Sequence, residues 1–218
     1  MYEFFHGQFF VPRYTRSDVS RYFYVLGGLV MKNKITAHNA VRMMCEGALM
    51  VVLAQILDFF PLWRMPWGGS VSLCMLPFFF FTCRWGLKGG MVAGFVLGVL
   101  QFMYAGGLAL GWQSIVGDYL VAYLVLGFAG VFQGKAWSIY AGTVLGCSLR
   151  FLVHYVVGAT IWAEYMPERF FGMTMTTPWI YSLLYNGFYM LLDMLLCLLI
   201  FLLMSKAMKP YYLGQDIQ

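Results

Sequence analysis

From about residue 40 to residue 205 the chain is a series of apolar runs, divided by glycines, prolines and short charged stretches. Six runs have the character of membrane-crossing segments. They are about 41–60 (VRMMCEGALMVVLAQILDFF, stopped by Pro61), 71–83 (VSLCMLPFFFFTC, broken by Pro77), 90–104, 114–132, 136–162 and 179–204. A helix needs about 20 apolar residues to cross the hydrocarbon layer. The second and third runs are shorter, which predicts tilted or irregular helices buried among their neighbours. Ahead of the first run, an acidic residue and Pro12 precede any apolar stretch, and VLGGLVM is too short to span. Residues 1–36 therefore read as an interfacial or loosely ordered extension and not as a signal peptide. Residues 37–209 form the membrane domain and 210–218 a tail.

The positive charges orient these runs. With both termini in the cytoplasm, Lys32, Lys34, Arg42, Arg84, Lys88, Lys135, Lys206 and Lys209 fall at inner ends, and only Arg64 and Arg169 at outer ends. That bias is the positive-inside pattern, and an even number of crossings is what preserves it. Gly90, Gly94 and Gly98 recur every fourth residue, as do Gly142 and Gly146. Small residues at this spacing let helix backbones approach where lipid supplies no hydrophobic drive. The expected fold is an all-α integral membrane protein, a compact bundle of six transmembrane helices with cytoplasmic termini.

Composition agrees: 61% of the 218 residues are hydrophobic and 11% charged, against about a quarter charged in a soluble domain. The net charge of +5 is modest for a nucleic-acid binder. The five cysteines lack any CxxC or Cys/His spacing, so they read as small apolar packers and no metal site is expected.

Ionisable groups inside a bilayer are costly and are functional candidates by default. Asp118 lies about five residues in from the outer face, and His154 about eight, roughly 12 Å at the helical rise. Tyr181 and Asn186 are similarly shallow on the sixth run, and Trp67 lies in the outer loop before the second. These residues come from different segments yet share the outer half of the membrane. A carboxylate accepts from an exocyclic amine, while Trp162 and tyrosines stack on a flat ring or hold a cation. His154 and Asn186 supply orienting hydrogen bonds. Together they describe an outward-facing pocket for a small, flat molecule, with cations among the candidates. Plainer readings compete. Trp162 and Trp179 suit an interfacial belt, and Tyr181, Tyr185 and Tyr189 suit packing. Arg150 and Asp193 read as a structural pair nearer the inner half, and Glu46 and Asp58 as solvated helix ends.

Several motifs are missing from the sequence. Without GxxxxGK[ST] the chain cannot itself drive transport with ATP. Without HExxH or GxSxG, metalloprotease and serine-hydrolase readings lack their motifs. The small size and lack of inverted repeats argue against an alternating-access carrier.

Four stretches carry a resemblance in the right order: MPWGGSVSLCMLPFFFFTCRWGLKGGMVAGFVLGVLQF, SIVGDYLVAYLVLGFAGVF, RFLVHYVVGATIWAEY and WIYSLLYNG. Over about residues 40–205 the chain resembles the thiamine-binding substrate-binding (S) components of energy-coupling factor transporters. The resemblance implies a six-helix bundle in a bacterial cell membrane that takes thiamine from outside, without catalysis or cofactor. A membrane coupling subunit and two cytoplasmic ATPases would power import. By position, Asp118 is similar to the carboxylate that contacts the aminopyrimidine, with Tyr119 beside it. Trp162 resembles the stacking aromatic, His154, Tyr181 and Asn186 the orienting residues, and the loop around Trp67 the lid. The chain differs at Leu97 and Leu108, where some members carry aromatics, and Trp112 is placed to compensate. Two rivals remain: the same architecture with another flat ligand, such as a pyridoxine-like or pyrimidine compound, and a small intramembrane enzyme using His154 and Asp118 as acid and base.

Overall fold

A computed structural model describes residues 36–65, 69–104 and 109–217. The expected extension 1–36, Trp67 and Leu108 thus lie outside the described residues, save for Thr36. The chain parts into two compact units, Met1–Ala40 and Val41–Gln218. The described residues of the first are the opening turn of a helix, and all that follows concerns the second.

Among the described residues, five helices are long and apolar enough to cross a membrane. They are α1 (Ala37–Phe59), α2 (Met75–Tyr104), α3 (Gly111–Phe132), α4 (Ser138–Thr160) and α5 (Pro178–Tyr212). Two small antiparallel hairpins lie between them. Strands β1 (Trp63–Arg64) and β2 (Ser70–Val71) join α1 to α2, and β3 (Arg169–Phe170) and β4 (Met173–Thr174) join α4 to α5.

Helix α2 unites the second and third apolar runs but is not straight. Gly86 adopts φ 82° and ψ −176° in its middle, a conformation open to glycine and strained for other residues. The chain reverses there. Gln101 Nε2 reaches Cys74 Sγ at 3.7 Å although 27 residues separate them, where a straight helix would hold them about 40 Å apart. Pro77 does not interrupt this helix as the sequence suggests. It sits in the first turn, where backbone N–H groups have no intrahelical acceptor to lose.

The returning half of α2 packs on α3 along its glycines. A Cβ on Gly94 would strike the Tyr123 carbonyl, one on Gly98 the Tyr119 carbonyl, and one on Gly90 the backbone of Gly127. Gly94→Val should therefore lower stability by about 1–3 kcal/mol through overpacking, read as earlier thermal unfolding in detergent. An unchanged melting curve would mean that the two helices are not in backbone contact.

Helix α5 begins where Thr177 Oγ1 accepts the Ile180 N–H at 3.3 Å, with Pro178 following, the usual cap and first-position proline. It runs on to Tyr212, past the end of the sixth apolar run at 204 and through Pro210. Its last turns are held by an ionic cluster. Arg84, 1% exposed, donates to Glu46 at 2.7 Å, to Asp216 at 2.6 Å and to the Tyr211 carbonyl at 2.7 Å. Its guanidinium also lies 4.3 Å from the Tyr211 ring centroid. Arg42 adds ion pairs to Glu46 and Asp216, and the Trp85 indole donates to Glu46 at 2.8 Å. Hydrogen bonds from Arg84 hold the Asp216 carboxyl below the usual carboxylate range. Glu46 is thus the hub of a network joining α1, the Gly86 reversal and the chain's last residues, and is not a solvated helix end.

Candidate functional site

Asp118 owes its position to an irregularity. Residues Ile115–Val121 of α3 are wound as π-helix, a distortion that re-aims side chains and is frequent at functional sites. Four residues earlier, Ser114 Oγ donates to Asp118 Oδ2 at 2.9 Å. The Trp162 indole N–H donates to the same oxygen at 2.8 Å, and His154 Nδ1 lies 3.0 Å from Oδ1. On the other side of the imidazole, Arg150 Nε approaches Nε2 at 3.4 Å. Arginine only donates, so Nε2 accepts and the proton is on Nδ1, facing Asp118. An ionised carboxylate has about four acceptor positions. Three are used, two on Oδ2 and one on Oδ1, which leaves Oδ1 able to take one more donor.

The second wall comes from α5. Asn186 Nδ2 donates to Ser182 Oγ at 3.0 Å and to the His154 carbonyl at 3.3 Å, while its Oδ1 accepts the Tyr189 hydroxyl at 2.9 Å. Ser182 Oγ in turn donates to the Tyr155 carbonyl at 2.7 Å. These bonds need α4 and α5 close together. Gly158 permits that, since a Cβ there would lie 2.5 Å from Ser182 Oγ. Asn186 spends its donors within the protein, so it offers a ligand the second lone pair of Oδ1 and secures the backbone that carries His154.

These walls enclose a cavity of about 430 Å³, ample for a two-ring molecule. Asp118, Tyr119, His154, Trp162, Tyr181 and Asn186 all line it. The structure therefore brings together every predicted site residue that it describes; Trp67 falls outside. The β1–β2 hairpin contributes Arg64, Met65 and Gly69 to the lining, and the Gly69 N–H donates to the Tyr185 hydroxyl at 3.3 Å. From the other hairpin, Phe170 packs edge-on against Tyr181 at 5.3 Å.

Sequence reasoning missed other lining residues. Arg150 and Asp193 both line the cavity, and the Arg150 guanidinium lies 4.2 Å from the Tyr123 ring centroid. Asp58 also faces it and accepts from Ser72 Oγ at 3.2 Å. Helical spacing carried a usable signal: Arg150 precedes His154 by four residues and so shares its face. Trp112 does not compensate for Leu97. It is 70% exposed, whereas Leu97 is 0% exposed within the core.

A family described as thiamine transporter protein matches residues 44–212. Thiamine transporter ThiT of Bacillus subtilis is 31% identical over 186 residues, covering 78% of this chain and 93% of the relative. Thiamine transporter ThiT of Lacticaseibacillus paracasei is 24% identical over 166 residues, 69% of this chain and 80% of that one. The fold is similar to the solved structure of ThiT from Listeria monocytogenes, with TM-score 0.71 at 22% identity, over 80% of this chain and 98% of that one.

Proposed function

The chain belongs to the thiamine transporter protein family, and we propose that its Asp118 cavity is where it captures thiamine from outside. It is a multi-pass membrane transport protein that binds its substrate and passes it on, and not an enzyme. The open acceptor position on Asp118 Oδ1 carries the reading. It suits the exocyclic amine of an aminopyrimidine, which a carboxylate binds by a charge-assisted hydrogen bond. The Trp162 ring, fixed through its N–H on Oδ2, offers a face for stacking beside that point. His154 and Asn186 hold the carboxylate and the α4–α5 spacing, while Tyr119 and Tyr181 complete the aromatic walls. The loop containing Trp67 acts as the lid.

The bundle has six crossings in this reading. The reversal at Gly86 supports it, because it turns α2 into two antiparallel helices. Residues 1–36 form the extension and 37–209 the membrane domain. In this reading both termini, including the tail 210–218, face the cytoplasm, which the distribution of lysine and arginine supports. Energy comes from a membrane coupling subunit and two cytoplasmic ATPases, in keeping with the absence of GxxxxGK[ST] from this sequence.

Quenching of intrinsic tryptophan fluorescence tests the ligand. Thiamine should quench saturably at one equivalent, and a hundredfold excess of pyridoxine should not compete. Competition by pyridoxine at equal concentration would assign the pocket to a different flat ligand.

A further inference from the structure

At the end of α3 opposite Asp118, the outer surface of the bundle carries a second concavity. A groove of about 710 Å³ runs between α4 and α5, with Phe132, Tyr140, Val144, Ser148, Leu198 and Leu202 in its lining. Tyr140, Val144 and Ser148 fall four residues apart, so one row of α4 forms a wall about 12 Å long. Leu198 and Leu202 form the matching row of α5. One turn further, that row ends in Lys206, which is exposed. Val144 and Leu202 are exposed as well, so in a membrane-spanning chain the groove opens to lipid.

The mouth of the groove is basic. Lys135 lies in the short connection between Phe132 and Tyr140, which both line it. That connection is tightly wound: the Lys135 N–H donates to the Phe132 carbonyl at 3.3 Å, and the Lys135 carbonyl accepts the Ser138 N–H at 2.9 Å. The Lys135 ammonium lies 4.9 Å from the Trp137 ring centroid. Trp137 in turn packs on Phe132 at 5.0 Å and is exposed, as suits a tryptophan at headgroup depth. The end of α5 is tied to the same connection, because the Tyr212 hydroxyl donates to the Ala136 carbonyl at 3.0 Å. No acidic residue occurs between Asp118 and Glu164 or between Asp193 and Asp216, and Asp216 is engaged by Arg84 and Arg42. Among the described residues neither Lys135 nor Lys206 has an ion-pair partner.

We propose that this groove holds one acyl chain of an anionic phospholipid, whose phosphate pairs with Lys135 and Lys206. Charge complementarity selects the occupant. An uncharged helix of another protein would cover the apolar walls but bring nothing to the two ammonium groups at their end. A zwitterionic lipid would bring a cation of its own to the same place. An anionic phospholipid joins a long apolar chain to a phosphate at headgroup depth, the order of groups that the groove and its mouth match. Basic pockets between transmembrane helices take anionic headgroups in this way. In the orientation proposed above, the site belongs to the inner leaflet. It shares no residue with the lining of the Asp118 cavity, so it stands apart from the reading of that pocket.

Native mass spectrometry of the purified full chain tests this, with phosphatidylglycerol and phosphatidylcholine of identical chains as the two probes. A lysine near the membrane surface strengthens attraction to anionic lipid about fivefold, so the wild type should retain one phosphatidylglycerol with roughly tenfold preference or more. Lys135→Gln and Lys206→Gln should each lower that preference about threefold or more. Lys88→Gln, on α2 and outside the groove, should leave it unchanged. Ser148→Phe fills the wall without altering charge, so it should weaken both lipids alike and keep the preference. Equal retention of the two lipids by the wild type overturns the proposal. An equal loss of preference in Lys88→Gln marks diffuse surface charge and also overturns it. So does full retention in a folded Ser148→Phe protein, which leaves no chain in the groove. A dimer in place of the lipid adduct assigns the groove to a second copy of the chain and contradicts the proposal. The two lysines are exposed and outside any ion pair, so their variants carry the test if Ser148→Phe does not fold.

Discussion

Asp118→Asn should weaken thiamine binding at least tenfold, about 1.4 kcal/mol or more, while leaving the protein folded. The substitution keeps one oxygen but turns the other position into a donor. Three protein donors, from Ser114, Trp162 and His154, then compete for a single carbonyl, and none of its acceptor capacity remains for the ligand's amine. Asp118→Ala should cost more, because it also frees Trp162 and His154 from the group that orients them. Truncating one partner of a buried charged hydrogen bond costs about 2–5 kcal/mol. Calorimetry in detergent measures both variants. Unaltered affinity in a folded Asp118→Asn protein would remove the carboxylate from the site.

The second large effect concerns stability. Arg84→Met should destabilise the protein by about 1–3 kcal/mol, because the acceptors that this buried guanidinium serves lose their hydrogen bonds. Glu46 loses one of its three donors and keeps Arg42 and Trp85. The Tyr211 carbonyl loses its donor as well. The double variant Arg84→Met, Glu46→Gln should recover part of the loss, since it removes the carboxylate along with the guanidinium that served it. Thermal unfolding followed by tryptophan fluorescence reads both variants. Equal melting of wild type and Arg84→Met would show that the cluster does not hold α1 to the C-terminal residues.

Much of this architecture was legible in the sequence, and the failures have a common cause. Apolar run lengths located the helices, and the spacing of Gly90, Gly94 and Gly98 foretold a close helix contact because backbone approach demands small residues at one face. Depth along each run grouped Asp118, His154, Trp162, Tyr181 and Asn186, which line one cavity. Depth, however, says nothing of which way a side chain points around its helix. Asp58 was read as a solvated helix end, and Arg150 and Asp193 as structural glue, although all three face the cavity. Glu46 and Arg84 looked like ordinary inner-end charges, since nothing local reveals that Asp216 and Tyr211 return to meet them. The π-helical winding around Asp118 and the reversal at Gly86 depend on packing between segments, and periodicity within one segment does not report it.

The most direct test of the central claim is to identify the small molecule released when the purified, never-dialysed protein is denatured. Mass spectrometry should find intact thiamine, near one equivalent from the wild type and strongly depleted from Asp118→Ala. A different compound, or a chemically altered product in place of thiamine, would contradict the account.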